Sequence, residues 1–179
     1  MQRLRHVCVW LRRIAHCRGF GIQSPSDYWL VRYVINEHWS YYSYENIGQN
    51  DDWLTRKLGR LYFRLANWRQ PTVIYSDKFQ EYLQAGCRSA SFATQSMPLE
   101  ATVELARVQI DGRHRQQMGY IYNNVDNRSV VIVEGIQRDK DFWSEVVADQ
   151  RTGVTFDLYY CGLVLFDKKR VKKNYIINF

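Results

Sequence analysis

Two strand-like runs near the end of the chain, Val154-Thr155-Phe156-Asp157-Leu158-Tyr159 and Gly162-Leu163-Val164-Leu165-Phe166, are separated by only Tyr160 and Cys161. A parallel crossover needs a dozen or more residues, so this pair must form an antiparallel hairpin. Upstream the pattern differs. From Pro71 onward, β-rich runs at 72–75, 90–94, 106–110 and 129–134 alternate with helical stretches expected at 78–84, within 97–105, at 115–123 and at 140–149. This is the βαβ alternation of a mostly parallel sheet. The run Val130-Val131-Ile132-Val133 suits a strand covered on both faces. The chain therefore reads as an α/β protein whose mostly parallel sheet is finished by one reversed strand, with 176–179 as a last extended segment. The first three runs begin at 72, 90 and 106, closer than the roughly 30 residues that a βα unit with its next strand takes. The first half of the sheet must be abridged.

Before Pro71 the period is helical. Leu4, Val7, Trp10, Leu11 and Ile14 recur at helix spacing, predicting an amphipathic helix over 3–16 that packs on its own domain, with a basic outer face. A membrane surface is the other occupant such a helix suits. Gly19 and Gly21 end it, and Ser24-Pro25-Ser26-Asp27 opens a second helix. The expected buried stripe of this second helix is Trp29, Leu30, Tyr33, Val34 and His38. Residues 41–45 read as extended or looped. Asn50-Asp51-Asp52 then caps a third helix reaching Trp68. The division expected is a helical segment, 1–70, packing on an α/β domain, 71–179.

The aromatic share of 15%, much of it Tyr and Trp between residues 28 and 68, suggests a thick core or an aromatic-lined pocket, and composition removes several classes. The 179 residues can bury a real core, and neither a disordered chain nor a membrane span is indicated, because no apolar run approaches the ~18 residues a span needs. The short apolar patch 7–11, followed at once by Arg12-Arg13, does not make a signal peptide. Cys8, Cys17, Cys87 and Cys161 form no C-x-x-C pair, which points to a reducing, cytoplasmic location rather than a disulfide framework. His6, Cys8, His16 and Cys17 match no zinc spacing, and no metal site is expected. The net charge of +7 is concentrated at the ends, in Arg3, Arg5, Arg12, Arg13 and Arg18 and in Lys168, Lys169, Arg170, Lys172 and Lys173. Such clusters suit a solvated surface or an acidic partner such as nucleic acid. No helix-turn-helix, RNA-recognition motif, P-loop, nucleophile elbow or H-E-x-x-H occurs.

Several segments taken together resemble one family. They are Gly19-Phe20-Gly21-Ile22-Gln23-Ser24-Pro25, Tyr41-Tyr42-Ser43-Tyr44-Glu45, Lys57-Leu58-Gly59-Arg60-Leu61-Tyr62-Phe63-Arg64-Leu65, Asp111-Gly112-Arg113-His114-Arg115 and the closing 156–166. Their order and spacing are similar to those of uncharacterised S-adenosylmethionine-dependent methyltransferase-like proteins of Bacteroides-type bacteria. The resemblance implies a Rossmann-like class I methyltransferase sheet, with S-adenosylmethionine as cofactor at the end of the first strand. At that place the family has an acid and a glycine-containing turn, whose glycines let backbone amides approach the cofactor. Here the acid's position falls on Tyr75 and the glycine positions fall near Asp77 and Glu81. The acid that would grip the ribose falls on Gln95. Tyr75, Asp77 and Gln95 are thus the cofactor-site positions implied. Asp77 with Gln80 also resembles a capping box for the next helix.

The residual chemistry lies further on. Asp111 closes a strand before the Gly112 turn, and Glu134 closes the next strand, so both are expected at the carboxyl edge where open α/β sheets hold ligands. With His114 they form the candidate catalytic set, able to share a proton or hold a cation weakly. The bland alternative is that Asp111 and His114 cap the helix that follows. The expectation is a divergent methyltransferase-like protein, its glycine turn lost, weakly active or non-catalytic, acting through an unidentified small molecule or protein partner. The alternatives are an active methyltransferase with an altered site and a basic module binding nucleic acid or an anionic surface.

Overall fold

The computed structural model describes residues 2–93 and 102–179. Seven strands form one sheet: β1 (Val73–Tyr75), β2 (Ser91–Ala93), β3 (Leu105–Gln109), β4 (Val130–Glu134), β5 (Val154–Asp157), β6 (Cys161–Leu165) and β7 (Lys173–Ile176). Their order is β2-β1-β3-β4-β6-β5-β7. Pairings among β1 to β4 are parallel, β6 is antiparallel to both β4 and β5, and β7 lies parallel to β5. A mostly parallel sheet with one reversed strand is the architecture that the short 160–161 connection requires. The closing strand sits earlier than expected, at 173–176 instead of 176–179. The helix expected within 97–105 falls mainly on 94–101, outside the described residues; Leu105 already belongs to β3.

Helices cover both faces. On one lie α2 (Pro25–Leu30, continued by a π turn Val31–Ile35), α3 (Trp53–Arg69) and α4 (Gln80–Gly86). Their apolar side chains, Leu30, Ile35, Leu61, Leu65 and Leu83 among them, pack on Ile74, Leu105, Ile132 and Leu163. On the other lie α5 (His114–Tyr122) and α6 (Lys140–Ala148), whose Met118, Ile121, Phe142 and Trp143 meet Ala106, Val108, Val131 and Val164. The strand residues alternate between the two clusters, which is the period of two that a doubly covered sheet imposes.

Local signals behave as side-chain capping dictates. Ser24 accepts from the Asp27 amide at the start of α2, and Asp52 from the Thr55 amide at the start of α3. Gln70 ends α3 in the left-handed conformation (φ 47°). Residues 42–45 form a 3₁₀ turn rather than an extended piece.

Two expectations about the helical segment are overturned. The buried stripe after Pro25 is Leu30, Val31, Val34 and Ile35, while Trp29, Tyr33 and His38 face outward. The two stripes share the spacing i, i+1, i+4, i+5, so the helical period alone does not choose between them; the side that meets α3 and the sheet does. The first helix, α1 (Gln2–Arg12), does not bury its apolar stripe either: Val7 is 51 % and Leu11 56 % exposed, and Trp10 and Ile14 are also exposed. Polar ties hold it instead. The Arg13 guanidinium donates to Asp157 Oδ1 (2.8 Å) and to the Asp157 carbonyl (3.0 Å), and Asn178 Nδ2 donates to the Trp10 carbonyl (3.0 Å).

Candidate functional site

The carboxyl edge of β1, β3 and β4 is the place to look first, because strand order reverses there: β2 lies on one side of β1 and β3 on the other. A side chain absent from the expected set occupies it. Arg107, in the middle of β3, has its side chain only 1 % exposed. Its Nε donates to Glu134 Oε2 at 2.8 Å, Nη1 to Asp77 Oδ1 at 2.7 Å and Nη2 to Gln109 Oε1 at 2.9 Å. The fully buried Tyr62 of α3 donates its hydroxyl to the same Glu134 oxygen at 2.8 Å. The Phe79 ring stands edge-on to Tyr62 (4.8 Å) and under the Arg107 guanidinium (5.3 Å). Burial alone would lower the Arg107 pKa, but the hydrogen bond and charge of Glu134, with Tyr62 and Asp77, carry it above its ordinary value. Burial, with Glu134 beside it, holds the Tyr62 hydroxyl well above the usual tyrosine range. The guanidinium is a permanent cation held through three of its N–H groups, and the Glu134 oxygen it binds is shared with Tyr62.

The residues implied as a cofactor site stand differently from the expectation. Tyr75 is buried and projects to the α5 side, its ring 6.2 Å from that of Tyr120. Asp77 faces no carboxylate rival; it pairs with Arg107, so it does not cap α4, and the capping box with Gln80 is not formed. That helix begins after Phe79, which has φ 60° and gives no side-chain cap. A bulky residue thus takes a left-handed backbone where glycine would be unstrained. Gln95 lies outside the described residues. Three cavities among the described residues have walls that do not include Tyr75, Asp77 or Arg107.

Nor does the expected catalytic set converge. Asp111 accepts from the Arg113 amide (3.0 Å), and that bond first, then the Arg113 charge, holds its carboxyl below the usual range. His114 is buried against Phe142 (4.5 Å). Its Nδ1 accepts from the Gly112 amide (3.3 Å), which places the proton on Nε2, 3.2 Å from Asp139 Oδ2. Asp139 in turn caps α6 through the Phe142 amide (2.9 Å). His114 therefore staples the start of α5 to the start of α6, and both ring nitrogens are committed. Glu134 points to the opposite face, toward α3. Asp111 and His114 thus adjoin at the turn that opens α5, where His114, after the Arg113 amide and charge, helps to lower the Asp111 pKa, while Glu134 is engaged with Tyr62 and Arg107 on the other face of the sheet. Among the described residues no three histidine, cysteine, aspartate or glutamate side chains group as a metal site.

Part of the terminal charge is also structural. Arg170 donates to the buried Asp27 (2.6 Å) and pairs with Asp167 (3.2 Å), and Lys172 donates to the Thr152 hydroxyl (2.9 Å). The four cysteines are free, and no helix of the described residues is long and apolar enough to cross a membrane.

A second feature lies partly in the aromatic-rich stretch between Trp29 and Trp53, which suits either a core or a pocket. A cavity of about 870 Å³ opens between α1, the 36–40 segment, the first half of α3 and the last residues of the chain. Arg18, Arg56, Lys57, Arg60 and Arg64 line it, with Glu37 and Asp51 as its side-chain carboxylates. Burial, then the Arg64 charge, pushes the Lys57 pKa down to about 8. Burial and nearby cations also lower the pKa of His6 and His38. In comparisons by sequence and by structure, no family model, curated protein or solved structure matches this chain.

Proposed function

We propose that this chain is a divergent relative of the class I methyltransferases that no longer binds S-adenosylmethionine and works as a non-catalytic binding protein. The observation that carries the reading is Arg107, buried between Glu134, Asp77 and Gln109 at the edge where the cofactor would lie. Support for the ancestry comes from the reversed β6 lying between β4 and β5, together with the motif order read in the sequence. Support for the loss comes from three things at one edge. Phe79, with its ring against Tyr62, stands in the turn that should be open. The turn before α4, a helix of seven residues, contains no glycine to open its first amides to a ligand. The acid that would face the cofactor is Tyr75, which turns to the other layer. Asp111 and His114, the residues an altered enzyme would use, are engaged at the start of α5 and its junction with α6.

Thermal denaturation in excess S-adenosylhomocysteine tests this. A ligand at a hundred times its dissociation constant adds about 2.7 kcal/mol, which is about 5–10 °C for a chain of this size. The expected result at 1 mM is an unmoved midpoint. A rise of 5 °C or more overturns the reading.

A further inference from the structure

The 870 Å³ cavity has the volume of a small-molecule site, and its chemistry is one-sided. Its two side-chain carboxylates are occupied: Glu37 accepts from the Tyr41 hydroxyl and Asp51 from the Tyr82 hydroxyl, both at 2.6 Å. None of its five cations forms an ion pair with a carboxylate among the described residues. Two are structurally employed but not neutralised. Arg64 donates to the carbonyls of Val34 (2.6 Å) and Ile35 (2.9 Å), and Arg56 to those of Gly48, Gln49 and Asp51. Carbonyl dipoles satisfy N–H groups and leave the charge in place. The head groups of Lys57 and Arg60 rest on rings, Lys57 over Phe179 (4.3 Å) and Arg60 over Tyr44 (4.8 Å). Five cations against the two carboxylates Glu37 and Asp51, in a partly dehydrated wall, leave an excess of positive charge that raises the local affinity for an anion.

A second observation points to a ligand with polar edges. Asn36 and Asn178, both in the wall and more than nine-tenths buried, leave Nδ2 and Oδ1 respectively without a hydrogen-bond partner. One is a donor and the other an acceptor, and unpaired buried polar atoms are rare unless something outside the chain answers them. The third observation is aromatic. Trp53 and Trp10 share the wall, and Trp39 stands 78 % exposed at its rim. Flat rings beside unpaired cations suit a planar ring that carries phosphate.

We propose that this cavity binds a free nucleoside phosphate, its phosphates held by Arg18, Lys57 and Arg60 and its base received by the tryptophans with Asn36 and Asn178. The site is independent of the closed strand edge, since neither Arg107 nor Glu134 lines it. Each reading can fail without the other. A cationic wall also disfavours S-adenosylmethionine, whose sulfonium is positive.

Tryptophan fluorescence titrated with ATP, without added metal, reads the site directly. The expected result is saturable quenching, at least tenfold weaker for adenosine and for inorganic triphosphate than for ATP. Lys57→Met and the exposed Arg18→Ala should each weaken ATP binding at least fivefold, and Arg18→Ala should leave the melting midpoint unchanged. No saturation at millimolar ATP overturns the proposal, as does full affinity in both variants. Inorganic triphosphate binding as tightly as ATP removes the base from it. A ten-residue oligothymidylate binding more than tenfold tighter than ATP also overturns it, by assigning the groove to single-stranded nucleic acid.

Discussion

Arg107 has no water to solvate it, so its charge is tolerated only because carboxylates answer it. The two carboxylates differ in weight. Glu134 is mostly buried, with its side chain 18 % exposed, and shares its oxygen with Tyr62, whereas the Asp77 side chain is 64 % exposed. Removing one partner of a buried pair strands the other charge, so Glu134→Ala is expected to cost about 3–5 kcal/mol. Asp77→Ala should cost under about 1 kcal/mol, as solvent replaces it. Urea denaturation of the two variants checks the contrast, and equal losses would contradict it. Lys57 carries a pH signature. Its folded pKa of about 8 lies below the ordinary 10.5. Between those values the unfolded chain holds a proton that the folded chain has released, so this group makes stability rise with pH across that window. Below about 8 both states are protonated and its contribution is constant. The stability advantage of Lys57→Met over the native chain should therefore be largest at pH 7 and shrink toward pH 10. A difference independent of pH would contradict the placement of Lys57.

Elements meet where side chains are absent. Gly59 of α3 lies under the Tyr82 ring, and a Cβ at Gly86, at the end of α4, would stand under 3 Å from the Phe63 carbonyl. The ring could shift only by breaking its bond to Asp51, and the carbonyl belongs to helical backbone that cannot yield cheaply. Gly86→Ala is expected to destabilise by about 1–3 kcal/mol through overpacking, read as a lower urea midpoint with an unchanged slope. An unchanged midpoint would mean that α3 and α4 are not in this contact. At this scale the sequence was readable where chemistry is local. The hairpin at 160–161, the caps at Ser24 and Asp52 and the alternation after Pro71 follow from spacing and side-chain type alone. The π turn after Leu30 and the standing-off of α1 did not, because both depend on what the rest of the chain places beneath them.

Across the whole molecule, the sheet was more readable than its site. Strand ends say which residues reach the carboxyl edge, but not which layer each one faces. Glu134 therefore looked like a neighbour of Asp111 and His114, while the fold keeps those two at the start of α5 and turns Glu134 toward α3. The signal that was missed lay in plain view: Arg107 and Gln109 interrupt an otherwise apolar strand at a spacing of two, which puts both on one face. A charged residue and a polar one on a strand buried on both sides imply partners, and Asp77 and Glu134 were the carboxylates within reach. The large cavity was legible only in part: the aromatic-rich stretch between Trp29 and Trp53 suits a pocket as well as a core, and Trp39, Tyr44 and Trp53 do line it, but the rest of its wall comes from both ends of the chain. The account as a whole rests on the strand edge being filled by Arg107 and Phe79. Calorimetric titration of the native chain with S-adenosylhomocysteine measures this most directly: no saturable heat is predicted up to 1 mM, and a one-to-one isotherm with a micromolar dissociation constant would contradict it.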